Sequence, residues 1–180
     1  MGTALAAAGA AAFDQRGDEL TFEALVRRHQ AMVFGLALHF LQDRTAAEEV
    51  AQDVFLQLHR HLDALQSADH VTFWLRRVTA HRCIDRARRQ PFRFLRLDAI
   101  PEPAVESRVR DPLLERRLRT LVFSLPAHAR LAVILRYQED LTPEEIARVL
   151  DRPVATVKSQ LQRALKTLRT KIADVLGEQA

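Results

Sequence analysis

TPEEIARVLDRPVATVKSQLQRALK, residues 142–166, decides how the chain reads. Thr142 is a helix N-cap, Pro143 suits the first helical position, and Glu145 completes a capping box by reaching back to the cap. This opens a short helix carrying Ile146, Ala147, Val149 and Leu150. Asp151-Arg152-Pro153 breaks it, and Val154, Val157, Leu161, Leu165 and Leu168 then share one face of a longer helix. A short helix, a tight turn and a basic second helix predict a helix-turn-helix.

The second helix turns Ala155, Lys158, Ser159, Gln162 and Arg163 away from its apolar face. Arg and Lys match guanine edges, Gln matches adenine, and small Ala and Ser let the backbone approach. Arg152, Lys166 and Arg169 are placed for phosphates. From Arg152 to Lys171 there are six basic residues and no acidic one. The alternative is an ordinary solvated helix face, which seldom combines this charge with the capping box and the turn.

Outward from this motif, helical periodicity also governs the first half. Phe22, Leu25, Val26, His29, Val33, Leu36, Ala37 and Phe40 recur at three- and four-residue steps. A second helix is expected from Thr45, read as an N-cap with Glu48 three residues on, to about His61, burying Val50, Val54, Phe55 and Leu58. A third carries Trp74, Leu75, Val78 and Ile84 and stops at Arg88-Arg89-Gln90-Pro91. Pro91, Pro101, Pro103 and Pro112 interrupt the next stretch, which reads as a flexible linker. Helices resume over Leu113–Phe123 and Ala127–Tyr137. The expected fold is all-α: two small helical bundles joined by that linker, the C-terminal one holding the helix-turn-helix. The expected divisions are a disordered tail over 1–18, a bundle over 19–90, the linker over 91–111 and a bundle over 112–176.

Composition agrees. The 180 residues are 48% hydrophobic with five Gly, seven Pro and a single cysteine, Cys83. One cysteine forms no intrachain disulfide and no multi-cysteine zinc site, which fits a reducing compartment, the cytoplasm. Cys83 itself reads as a small core residue. The Ala-rich opening lacks a basic n-region and makes a poor signal peptide, and charges recur too often for a membrane span. The net charge of +4 sits in the last third, where residues 112–180 carry 12 Lys/Arg against 8 Asp/Glu.

A second basic concentration, Arg76, Arg77, Arg82, Arg86, Arg88, Arg89, Arg93 and Arg96, follows Phe73 and Trp74. Aromatics beside arginines can stack unpaired bases, although for Trp74 itself a core anchor is the commoner role. Glu48, Glu49, Gln52, Asp53 and Gln57 form an acidic and amide face that repels DNA and must meet solvent or a basic protein. No catalytic constellation stands out: His59 and His61 are two apart and point to different sides of a helix, and there is no phosphate-cradling glycine loop. No cofactor is expected.

Taken together, these segments resemble the extracytoplasmic-function sigma factors of bacterial RNA polymerase. Ala47-Glu48-Glu49-Val50-Ala51-Gln52-Asp53-Val54-Phe55-Leu56 is similar to the family's polymerase-binding helix, with Glu49 where Asp is usual. Trp74-Leu75-Arg76-Arg77-Val78, Ile84-Asp85 and Arg88-Arg89 resemble its promoter-melting helix. Leu125-Pro126, Arg130, Leu135-Arg136-Tyr137, Glu145-Ile146-Ala147, Thr156-Val157-Lys158-Ser159 and Arg163-Ala164-Leu165 resemble its C-terminal reader. Three positions depart from the pattern: His81 replaces a usual Asn, Asp151 a common Gly, and Pro153 a frequent Ser.

The resemblance implies three partners: core RNA polymerase, promoter DNA and a sequestering anti-sigma factor, with no membrane insertion. Glu48, Glu49, Gln52, Asp53, Phe55 and Gln57 would dock on polymerase. His61, Asp63, His70, Trp74, Arg76, Arg77, His81, Arg82, Arg86, Arg88 and Arg89 would open and hold the −10 element. Arg152, Pro153, Ala155, Thr156, Lys158, Ser159, Gln162, Arg163 and Lys166 would read the −35 element. The alternatives are a DNA-binding regulator that never docks on polymerase and a helical nucleic-acid enzyme needing a metal cluster.

Overall fold

The computed structural model describes residues 21–65, 67–89 and 112–177. The expected tail and linker lie outside these residues. Among them are seven α-helices and no strand: α1 (Phe22–Leu41), α2 (Arg44–His61), α3 (Ala68–Arg89), α4 (Pro112–Phe123), α5 (Ala127–Tyr137), α6 (Pro143–Leu150) and α7 (Val154–Gly177). A single 3-10 turn, Leu62–Ala64, follows α2.

Helices α1, α2 and α3 pack on one another around Leu25, Leu36, Phe40, Val54, Leu58, Val71 and Leu75, each buried to 1% exposure or less. Side chains of this size contribute roughly 1.5–3 kcal/mol each when fully buried. In the C-terminal half, α5, α6 and α7 enclose Leu131, Leu135, Ile146, Val149 and Val157. Helix α4 packs on α5 and α7.

The helix boundaries follow the sequence signals closely, with one correction. The N-cap of α2 is Asp43, not Thr45: the Asp43 side chain accepts from the Ala46 amide at 3.0 Å, in extended backbone. Gln42 ends α1 in the left-handed region at φ 54°, so the corner between the two helices is only two residues long. That geometry puts Asp43 at the cap and leaves Thr45 inside the first turn. Glu48 does not close a capping box; its carboxylate pairs with Arg44 at 2.9 Å.

The two bundles are not held apart. Helix α3 packs against α5 and α6, and α1 packs against α5. Arg130 of α5, 5% exposed, crosses this seam: its Nη1 donates to the Phe40 carbonyl at 3.0 Å and its Nη2 to the Leu125 carbonyl at 3.3 Å.

Candidate nucleic-acid and polymerase interfaces

The turn between α6 and α7 is built as its residues dictate. Thr142 Oγ1 accepts from the Glu145 amide at 3.2 Å, while the Glu145 carboxylate accepts from the Thr142 amide at 2.8 Å. Thr142 Oγ1 also donates to the same carboxylate at 2.8 Å, and the bonds from the Thr142 amide, which contributes most, and from its hydroxyl hold the exposed Glu145 carboxyl below its usual range. Asp151 then takes φ 54° and ψ 53°, a left-handed conformation that Asp tolerates better than most residues. The Arg152 amide donates back to the Ala147 carbonyl at 3.0 Å, and the Pro153 carbonyl accepts from Thr156 and Val157 to start α7.

Helix α7 buries Val157, Leu161, Ala164 and Leu168 and exposes Ala155, Lys158, Ser159, Gln162, Arg163 and Lys166. Thr156 is half-buried, and Arg152 and Pro153 are exposed at its start. The face is pre-shaped by short local bonds. Ser159 Oγ donates to the Ala155 carbonyl at 2.9 Å, and Arg163 Nε donates to the Ser159 carbonyl at 3.2 Å. Lys158 Nζ pairs with Glu144 of α6 at 2.9 Å.

On the N-terminal bundle, Gln57, His70, Phe73, Trp74, Arg77, Val78 and His81 line an open cleft of about 510 Å³. Trp74 is half-buried, and the His61 ring tilts over its indole at 5.8 Å between centroids. The structure thus gathers five of the residues expected at the −10 element, His61, His70, Trp74, Arg77 and His81, around one aromatic platform. Gln57, expected on the polymerase face, lines this cleft instead of standing with Glu48. Nothing is described of the Asp63 side chain. Arg88 and Arg89 are exposed at the end of α3, and Arg82 is half-buried along it.

Arg86 is placed differently from its neighbours: its Nη2 meets Glu49 of α2 at 2.7 Å. A residue expected on DNA is therefore paired with one expected on polymerase. On α2, Glu48, Glu49, Gln52 and Asp53 are exposed and Phe55 is half-buried. Between α1 and α2 runs an apolar groove of about 810 Å³, lined by Phe22, Val26, Phe34, Ala51, Phe55 and Leu56 among others. Leu56 is 57% exposed there. The sequence reading missed this groove, because Phe22 and Val26 look like core positions by spacing; Leu56, on the polar side of α2, was the available signal.

No group of three or more His, Cys, Asp or Glu side chains poised to hold a metal occurs among the described residues. Cys83 is fully buried, and burial pushes its thiol up to about 12.

These features define a helix-turn-helix protein with a second helical bundle that offers an aromatic cleft and an arginine-rich helix. Comparison with known proteins gives the same answer. Residues 25–92 match Sigma-70 region 2 and residues 115–168 match Sigma-70, region 4. The chain is 32% identical over 186 residues to the ECF RNA polymerase sigma factor SigE of Mycolicibacterium smegmatis, covering 96% of this chain and 70% of that protein. It is 30% identical over 178 residues to the ECF RNA polymerase sigma-E factor of Escherichia coli K12, covering 90% and 92%.

Solved structures share the fold. CnrH in complex with the cytosolic domain of CnrY has a TM-score of 0.63 at 23% identity, with 85% of this chain and 88% of that one covered. RpoE in complex with the anti-sigma factor NepR from Bartonella quintana has a TM-score of 0.65 at 18% identity, with 83% and 94% covered. The chain belongs to the extracytoplasmic-function sigma factors of bacterial RNA polymerase. It is therefore a transcription initiation factor that works with core polymerase on promoter DNA, and not an enzyme. No described helix is long and apolar enough to cross a membrane.

Proposed function

We propose that this sigma factor divides its work between a region 2 domain over 19–90 and a region 4 domain over 112–176, acting in the cytoplasm. Helix α7 enters the major groove of the −35 element. Ala155, Lys158, Ser159, Gln162 and Arg163 face base edges there, and Arg152, Pro153, Thr156 and Lys166 lie along the flanking backbone. The observation that carries this reading is the exposed, acid-free face of α7 behind a fully formed capping box and left-handed turn.

In region 2, the Trp74 cleft takes an unpaired base of the −10 element, and Arg77, Arg82, Arg88 and Arg89 hold the strand. Phosphate contacts of this kind set register and affinity; the base in the cleft sets preference. Glu48, Glu49, Gln52 and Asp53 meet a basic polymerase surface, and Leu56 with the groove beside it supplies the apolar core of that contact. Control by an anti-sigma factor is supported by the solved relatives, one of which is described in complex with the anti-sigma factor NepR.

Run-off transcription from a genomic-fragment library tests the reading, comparing core polymerase alone with core plus this protein. New starts that share two upstream motifs at fixed spacing are expected. Loss of all new starts with Glu49→Lys/Asp53→Lys, with DNA binding retained, places polymerase docking on α2. DNA binding without new starts in the unaltered protein would instead make it a regulator that does not dock.

A further inference from the structure

Two successive arginines of α3 are already occupied. Arg76 Nε donates to Glu139 Oε2 at 3.0 Å, with the side chains only 25% and 14% exposed. Arg77 Nη2 lies 3.6 Å from Asp151 Oδ2. Glu139 stands in the loop between α5 and α6, and Asp151 forms the turn of the helix-turn-helix, so both carboxylates come from the other domain. Arg148 of α6 also sits over the Phe73 ring at 5.7 Å.

A carboxylate and a DNA phosphate present similar oxygens to a guanidinium, and one occupant excludes the other. The cleft beside these pairs points the same way. His81 and Arg88 of α3 share about 260 Å³ with His128 and Arg152 of region 4, with Asp85 the one acid in the lining. Candidate DNA contacts of both domains thus face one another across the seam.

Burial raises the Glu139 carboxyl above its usual range, and Arg76 only partly offsets this. The Arg76–Glu139 pair therefore adds little to holding the domains together. Closure is carried by the packing of α3 and α1 on α5 and α6 and by Arg130, whereas the two acids decide what the α3 arginines can bind while the seam is shut.

We propose that the closed chain masks itself: Glu139 and Asp151 stand in for nucleic-acid phosphates on Arg76 and Arg77, so region 4 and single-stranded DNA compete for the same face of α3. This rests on α3 being the strand-holding helix.

The test locks the seam in the full chain. Phe73→Cys/Arg148→Cys is joined by a short bis-maleimide, with Cys83 too buried to compete, and compared with the same variant capped by a mono-maleimide. The probe is a fluorescent single-stranded DNA of mixed sequence and about 20 nucleotides, read by anisotropy at low salt, where phosphate contacts dominate.

Locking is expected to weaken binding on the order of tenfold, since it keeps both acids on the arginines at all times. Arg76→Ala/Arg77→Ala in the otherwise unaltered chain is expected to weaken it similarly. Equal binding by locked and capped chains overturns the masking. Weaker binding on locking with no effect of the arginine variant overturns the assignment to Arg76 and Arg77, and with it the strand-holding reading of α3. If the cysteine pair disturbs folding, Glu139→Gln/Asp151→Asn decides: several-fold tighter binding supports the masking, and unchanged binding overturns it.

Discussion

Arg130 of region 4 donates a hydrogen bond to the backbone carbonyl of Phe40 in region 2, 90 positions away in the chain, at 3.0 Å. Its guanidinium also lies over the Phe123 ring at 4.2 Å and the Phe40 ring at 5.0 Å. Burial lowers its pKa to about 10, so it stays charged at neutral pH. A buried cation with planar donors and aromatic faces around it is poorly replaced by lysine. Arg130→Ala is expected to lower stability by about 3 kcal/mol, and Arg130→Lys by roughly half as much. Urea unfolding checks both; equal stability of all three proteins would deny Arg130 this role.

The capping box of α6 predicts a local cost. Thr142→Ala removes the acceptor for the Glu145 amide and is expected to lower stability by about 1 kcal/mol, seen as a fall in Tm. Thr142→Ser should restore most of it. The helix carries four buried residues of the region 4 core, so the loss is felt by the whole domain.

Base contacts and phosphate contacts separate in their effects. Gln162→Ala or Arg163→Ala is expected to relax preference at one or two positions of the −35 element, at about 1–3 kcal/mol per lost bidentate contact. Arg169→Ala should instead weaken all promoters alike and reduce the salt dependence of binding. Binding to a randomised −35 library at two salt concentrations distinguishes them.

Two histidines set the response to acid. Burial lowers the His29 pKa, and Arg28 and Arg76 add to it; burial lowers His128 as well, with Arg152, His81 and Arg88 adding. A lowered pKa means the folded state prefers the neutral ring. The stability this supplies is complete above the free imidazole value of 6.5 and is lost as pH falls through the folded values. Glu139 works in the opposite sense: its raised pKa adds stability only as pH falls toward the carboxylate range. Tm is therefore expected to decline as pH drops below about 6.5, and less steeply in His128→Asn, in melts taken across that range.

Cys83 is expected to be inert. With the thiol pushed up to about 12 and its side chain fully buried, thiolate is scarce and access is closed. Maleimide should label it only on unfolding in urea, and mild peroxide should leave transcription unchanged. Rapid labelling of the native protein would refute this.

Much of this architecture is legible from local chemistry. The Thr142–Glu145 box, the Asp151 break and the apolar stripe of α7 are short-range signals, and each element stands where they put it. The cap of α2 was harder, because Asp43 and Thr45 are both good caps and only the left-handed Gln42 corner chooses between them. The seam could not be read at all. Arg76 and Glu139 are 63 residues apart, and periodicity marks both as polar positions without saying that they meet. The groove beside Leu56 was hidden for a related reason: spacing separates apolar from polar faces, and it does not tell which apolar face another helix covers.

The seam between α3 and α6 has a consequence of molecularity. Both of its sides belong to one covalent chain, so closing is a first-order event whose equilibrium does not change with the amount of sigma factor made. Single-stranded DNA arrives by second-order encounters, and its pull on the chain grows with its own concentration. Diluting the protein leaves the closed fraction as it was; supplying more DNA does not.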